Sequence, residues 1–252
     1  MSEKIYFLNS KGDKLCGILS NPRTNKNGPI MILCHGIPSS KDNFTSTHLE
    51  KLLNEKNIAT LRFDLFGNGE SEGNFEEITI SECIDDIMQA IRYIKGKWFS
   101  HIGLMGSSFS GMASTIIASQ SDELFILVLK SPTSDYDEME RLKRGDDDMK
   151  LWKEEWKITW SYGEWVKILN YSFVEDYEKY NTYESAKNIT IPTLIVHGDK
   201  DTNVPITQSE KLAKSISNCR LEIIHNAWHR FTNPEDAQRV ISLIRDFIVE
   251  YI

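Results

Sequence analysis

Eight short apolar runs punctuate the chain: KIYFLN, KLCGILS, PIMILCHG, IATLRFD, HIGLMG, LFILVLKS, PTLIVHGD and RLEIIHN. Between the later ones lie stretches with helical spacing at about 43–56, 80–96, 109–120, 205–217 and 234–251. A strand that is apolar on both faces has to be covered on both, so strands alternating with helices predict an α/β fold built on a mainly parallel eight-stranded sheet with helices on either side. The turn NSKGDK between the first two runs predicts a hairpin, so the sheet is expected to begin antiparallel. At 252 residues the chain is large enough for one such domain with a modest insertion. Ligands of open sheets gather outside the carboxyl ends of the strands, which directs the search for chemistry to the residues just after each run.

Residues 133–188 interrupt the alternation. This segment holds 11 aromatic residues in 56, about twice the 10% of the whole chain, and more acidic than basic side chains. A linker would be poor in aromatics, so the segment is expected to be an inserted, mostly helical cap subdomain, leaving 1–132 and 189–252 as the core domain. The net charge of −8 gives no basic stripe with which to displace counterions, which excludes a general nucleic-acid binder. Cys16, Cys34, Cys83 and Cys219 form no C-x-x-C pair, and no secretory signal precedes them, so a reducing cytoplasm is expected. The longest apolar run, LFILVL, is far shorter than the roughly 20 residues that span a bilayer, which predicts a soluble protein without a membrane partner.

The stretch GLMGSSFSGMAS at 103–114 places four serines among small residues directly after a strand. A nucleophilic serine on a sharp strand-to-helix turn needs small residues two positions before and two after it, because the two backbones pass close together. Ser107 has Met105 and Phe109 there, Ser110 has Ser108 and Met112, and Ser114 has Met112 and Ile116. Only Ser108, flanked by Gly106 and Ser110, meets the requirement, with Ser110 standing where the G-x-S-x-G pattern has its second glycine. A serine hydroxyl needs a base and the base needs an orienting acid. The ends of the two last strands offer both: Asp199 and Asp201 in LIVHGDKDTNVP, and His225 and His229 in LEIIHNAWHRF. Their order, Ser then Asp then His, is that of the α/β-hydrolase layout.

Taken together, ILCHGIPSS, LRFDLFGNGES, GSSFSG, VHGDKDTNVP and NAWHRF resemble the α/β-hydrolase superfamily over nearly the whole chain outside 133–188. Within it the chain is similar to small serine esterases such as the cinnamoyl and feruloyl esterases and the monoacylglycerol lipases, which carry a cap after the sixth strand. The resemblance implies Asp201 as the acid and His229 as the base, with Asp199 a turn residue and His225 the end of a strand. It implies the backbone amide of Ile37 as one oxyanion donor, beside that of Phe109, the residue after the nucleophile. His35 is then expected to anchor its loop, and Arg62 and Asp64 to stabilise the loops near the glycine turn. Asn68 stands where the family often has a histidine. The expected activity is hydrolysis of a small-molecule carboxylic ester through an acyl-enzyme, a chemistry that requires no cofactor and no metal.

Trp152, Trp156 and Trp160 recur every four residues, which predicts one face of a helix. That face is expected either to be the buried side of the helix or, in part, to roof the acyl pocket as a substrate-binding surface. The acidic cluster GDDDM at 145–149 is expected to be a solvated turn rather than a metal site, and GNGESEG lacks the G-K-[ST] ending of a phosphate loop. The same three side chains would serve a thioesterase or a small peptidase, and a haloperoxidase-like side activity is open to the superfamily. A non-catalytic binding module of the same fold normally lacks a triad member, and a dehalogenase normally carries aspartate in place of the elbow serine. A homodimer is among the assemblies the sequence allows.

Overall fold

The computed structural model describes residues 2–22, 28–162 and 164–252. Its strands are β1 (Ser2–Leu8), β2 (Lys14–Ser20), β3 (Pro29–Cys34), β4 (Ala59–Phe63), β5 (His101–Ser107), β6 (Leu124–Lys130), β7 (Lys157–Tyr162), β8 (Trp165–Asn170), β9 (Thr193–Gly198) and β10 (Cys219–Ile224). Its helices are α1 (Phe44–Glu55), α2 (Ile80–Gly96), α3 (Phe109–Ala118), α4 (Tyr136–Glu155), α5 (Ser172–Tyr177), α6 (Thr182–Ala186), α7 (Ile206–Ser215) and α8 (Pro234–Glu250). Among the described residues, eight strands form one sheet in the order β1-β2-β4-β3-β5-β6-β9-β10. β1 and β2 pair antiparallel, as do β2 and β4, and every later pair is parallel. Each of the eight apolar runs has become one of these strands.

The sheet is buried on both faces because alternate residues of its central strands enter different cores. Ile30, Ile32 and Cys34 of β3 join Leu127 and Leu129 of β6 on the face covered by α2, α3 and α7. Met31 and Leu33 of β3 join Ile126 and Val128 of β6 on the face covered by α1 and α8. The helices start where the sequence supplies caps. Asn43 and Asn233 accept backbone N–H bonds at the starts of α1 and α8, and Pro234 occupies the first turn of α8, where no N–H is needed. Thr79 accepts from the Glu82 amide at the start of α2, the first half of a T-x-x-E capping pattern.

Between β6 and β9 the chain forms α4, an antiparallel hairpin of β7 and β8, and then α5 and α6. The hairpin corrects the reading of the tryptophan stripe. Trp152 lies on α4, Trp156 ends that helix in a left-handed conformation (φ 64°), and Trp160 sits on β7. A spacing of four is even, so it also fits a strand, and Ile158 and Trp160 turn inward while Lys157, Thr159 and Ser161 stay exposed. The GDDDM cluster is likewise corrected. It lies within α4, with the helix kinked at Gly145 (φ 79°, ψ 168°) and Asp146, Asp147 and Asp148 exposed.

One close approach fixes where β9 delivers the chain. A Cβ added at Gly198 would lie 2.3 Å from the Ala227 carbonyl oxygen, which binds the loop after β9 to the loop after β10. Gly198→Ala is therefore expected to destabilise the protein by about 1–3 kcal/mol, because a backbone atom has to move. Urea unfolding of the two proteins measures the difference.

Candidate active site

The turn between β5 and α3 is shaped by crowding. Ser108 adopts φ 51° and ψ −110°, a conformation that places strain on a residue with a Cβ. Its amide donates to the Lys130 carbonyl at 2.9 Å, and its carbonyl accepts from the amides of Gly111 (2.9 Å) and Thr133 (3.1 Å). A Cβ at Gly106 would lie 2.4 Å from Ser114 Oγ, one at Gly111 2.6 Å from Pro132 Cβ, and one at Gly36 2.9 Å from Ser108 Cβ. Ser110, at the place of the pattern's second glycine, is fully buried. Its hydroxyl accepts from the Ser107 amide at 2.8 Å and donates to the Cys34 carbonyl at 3.0 Å, tying the turn to β3. The position thus holds a small polar staple, and Gly111 provides the clearance next to it.

Although Ser108 occupies the N-cap of α3, its side chain makes no cap bond there. The Oγ instead lies 2.9 Å from His229 Nε2, and His229 Nδ1 lies 2.5 Å from Asp201 Oδ2. Nδ1 faces a carboxylate and so carries the ring proton, which leaves Nε2 to accept from the serine hydroxyl. Asp201 is held in place by the amides of Asn203 (2.8 Å) and Val204 (2.9 Å), both donating to Oδ1.

His197, on β9, was not singled out from the sequence. It is fully buried, with Nε2 2.9 Å from Asp201 Oδ2 and 3.1 Å from the Val204 carbonyl. Nδ1 is 2.6 Å from Ser209 Oγ. Nε2 therefore faces only acceptors and carries the proton, which it directs at Asp201. The available signal was a histidine four residues before the aspartate in VHGDKD. Lys130 was also missed. Its signal was a single lysine at the end of the otherwise apolar LFILVLK.

Burial by itself would raise the Asp201 carboxyl, but hydrogen bonds from His197 and His229 outweigh it and hold the group below the usual carboxylate range. Burial lowers His229 below the ordinary imidazole value, partly opposed by its bond to Asp201. The second candidate pair lies apart from this cluster. Asp199 Oδ2 accepts from His225 Nδ1 at 3.0 Å and Asp199 Oδ1 from the Asn226 amide at 2.6 Å, with His225 76% exposed, so this pair closes the turn after β10 at the surface.

The remaining sequence-derived residues fall as follows. His35 is buried, with Nδ1 donating to the Gly36 carbonyl at 2.7 Å and Nε2 accepting from the Leu65 amide at 3.1 Å, so both ring nitrogens serve loop anchoring. Asp64 accepts from the Lys41 amide and Nζ and from the Glu70 amide, and Arg62 joins Glu50 to the Lys41 carbonyl and Asp42. Asn68 donates to the Phe66 carbonyl at 2.9 Å. The Phe109 amide opens α3, one of the donors that helical bonding leaves free. Ile37 lies in the loop after β3 and lines both cavities that open at Ser108.

The smaller of those cavities, about 30 Å³, runs beneath the segment between β6 and β9 and is lined by Tyr136, Met139, Trp160, Leu169 and Phe173, by the charged Glu140 and Lys143, and by Ser108 and His229. The larger, about 430 Å³, opens on the other side, toward the starts of α1 and α8. Of the three tryptophans, only Trp160 lines a cavity at the serine. Trp152 is fully buried within its own segment, stacked on Phe173 with Nε1 donating to the Leu169 carbonyl at 3.1 Å, and Trp156 is 45% exposed beside Tyr171. Among the described residues, the groupings compact enough for a cation, Cys16/Asp64/Glu70 and Glu82/Asp85/Asp86, line neither cavity at Ser108, and Lys41 already bridges Asp64 and Glu70.

This sheet, with helices on both faces and functional loops at its carboxyl edge, defines an α/β-hydrolase. The sequence model of the prolyl oligopeptidase family matches residues 45–252, and the chain belongs to that family. It is 24% identical over 244 residues to the mitochondrial palmitoyl-protein thioesterase ABHD10 of Bos taurus, covering 91% of this chain and 76% of that protein. It is 25% identical to the monoacylglycerol lipase ABHD6 of Mus musculus, covering 87% and 75%. The ferulic-acid-bound structure of Est1E from Butyrivibrio proteoclasticus superposes with a TM-score of 0.87 at 26% identity over 98% of both chains. No helix among the described residues is long and apolar enough to cross a membrane.

The Asp201 arrangement has a consequence for stability. A carboxyl lowered in the folded state contributes stability that is complete above its unfolded value near 3.8 and is lost as pH falls through the folded one. The stability difference between wild type and Asp201→Asn is therefore expected to be constant at pH 6–7 and to narrow below about pH 4. Urea midpoints across that range check it, and a difference that grows on acidification contradicts it.

Proposed function

We propose that the chain is a serine hydrolase that cleaves carboxylic esters through an acyl-enzyme intermediate. The observation that carries this reading is the continuous contact from Ser108 Oγ through His229 to the buried Asp201. His229 takes the serine proton as Oγ attacks the ester carbonyl, and Asp201 orients the ring and stabilises the imidazolium. The amides of Ile37 and Phe109 receive the developing oxyanion, and His229 returns the proton to the departing alcohol. Water then attacks the acyl-enzyme with His229 again as base, releasing the acid and regenerating Ser108.

The segment between β6 and β9 serves as a cap, with Trp160, Tyr136 and Phe173 forming an apolar roof over the serine. Trp152 supports that roof from behind through its stacking on Phe173. The four free cysteines suit a reducing compartment. A thioester substrate is the second reading, favoured by the similarity to the bovine thioesterase. It uses the same residues with a thiol as leaving group.

Ser108→Ala is expected to abolish labelling by a fluorophosphonate probe and to lower kcat on p-nitrophenyl esters by roughly 10³-fold or more. Equal labelling of wild type and Ser108→Ala favours a non-catalytic binding module instead. Comparing p-nitrophenyl esters, acyl thioesters and aminoacyl anilides of one acyl length ranks esterase, thioesterase and peptidase activity. Because burial lowers His229, kcat/KM is expected to hold level through neutral pH and to fall only below about pH 6.5. An inflection above 7 shows that the bond to Asp201 outweighs burial, whereas a rate that stays flat from about pH 5 to 8 speaks against His229 as the base.

A further inference from the structure

Lys130 closes β6 and is 7% exposed, yet its ammonium forms no hydrogen bond or ion pair among the described residues. Its ammonium lies 5.1 Å from the centre of the Phe231 ring, and both residues line the 430 Å³ cavity that also contains Ser108 and His229. A buried ammonium is normally paired with a carboxylate, since burial without a partner disfavours the charged form. Here burial lowers the ammonium to about 8, with Arg230 acting in the same direction and Asp201 opposing it. A lysine kept in such a place is unfavourable for the empty protein and favourable once something negative occupies the cavity.

The rest of the cavity agrees with that reading. The chain carries a net charge of −8, yet no aspartate or glutamate is found among the described residues that line the cavity. Arg230 lies on its wall, with Nη2 donating to the Pro38 carbonyl at 3.0 Å. Two long helices begin at its rim, α1 at Phe44 and α8 at Pro234, each adding the partial positive charge of a helix N-terminus. The aromatic-roofed slot under the proposed cap, which also carries Glu140 and Lys143, shares Ser108, Ile37 and His229 with this cavity. A substrate bound at Ser108 can therefore lie with one end toward the slot and a charged half beside Lys130.

We propose that Lys130 is a specificity-determining residue that receives an anionic group, a carboxylate or a phosphate, on one half of the substrate, so that the enzyme selects esters of acidic compounds. This rests on the hydrolytic reading of Ser108.

The test uses the full chain with two matched ester pairs. Phenyl acetate against p-acetoxybenzoate puts the carboxylate on the leaving group, and p-nitrophenyl butyrate against mono-p-nitrophenyl glutarate puts it on the acyl group. Lys130→Met is expected to lower the anionic-to-neutral ratio of kcat/KM by roughly 10-fold or more for one pair, mainly through KM, and Lys130→Arg to restore part of it. The affected pair identifies which half of the substrate enters the cavity. An unchanged ratio for both pairs overturns the proposal while leaving the hydrolase reading intact.

A binding arm decides the matter independently of turnover. In Ser108→Ala, p-hydroxybenzoate, glutarate or inorganic phosphate is expected to raise Tm, and adding Lys130→Met is expected to remove the shift. A shift that survives Lys130→Met, or none with any of the three anions, overturns the proposal. Lys130→Met itself is expected to melt no lower than wild type, because it removes a buried charge that lacks a partner.

Discussion

The arrangement at Ser108 depends on how closely β5, α3 and the loop after β3 approach one another. Gly106, Gly111 and Gly36 stand where a side chain would collide with Ser114, Pro132 or Ser108, and Ser108 alone takes the strained positive φ at the turn. Strain of this kind persists only where surrounding structure overdetermines it. The amide and carbonyl bonds to Lys130, Gly111 and Thr133 supply that determination, and the Ser110 hydroxyl clamps the turn to the end of β3. The result is a hydroxyl held clear of its own helix and turned toward His229.

A second constraint acts through Asp201. This carboxylate is buried, and burial would neutralise it were it not surrounded by donors: two backbone amides on one oxygen and two imidazoles on the other. His197 belongs to this shell and is itself fixed by Ser209 at the start of α7. The charge of Asp201 and the orientation of His229 therefore depend on the packing of β9 and α7 as much as on the loop that carries the aspartate.

The two cavities at Ser108 differ in character because different layers of the fold build them. The slot is roofed by aromatic side chains from the segment between β6 and β9, whose hairpin turns Trp160 inward while Trp152 braces the segment's own core. The larger cavity lies on the α1 and α8 side of the sheet, where Lys130 follows the same alternation that places Ile126 and Val128 in the core below it. Two residues further along that strand, the position that continues the core becomes the charged wall of a cavity.

The sequence by itself determined the strands of the sheet, its antiparallel start and the helical stretches between its later strands, because burial on both faces and helical spacing are local patterns written in consecutive residues. It also singled out Ser108, since the demand for small neighbours is met within five positions. Choosing Asp201 over Asp199 and His229 over His225 rested on resemblance, because each pair follows the right strand and their spacings alone do not separate them. Only the tertiary structure sets one pair in the interior against Ser108 and the other at the surface. The hairpin was missed because a four-residue repeat satisfies helix and strand alike. His197 and Lys130 were missed because their importance lies in what surrounds them, a carboxylate in one case and an absence of carboxylates in the other, and those neighbours come from parts of the chain that meet only when it folds.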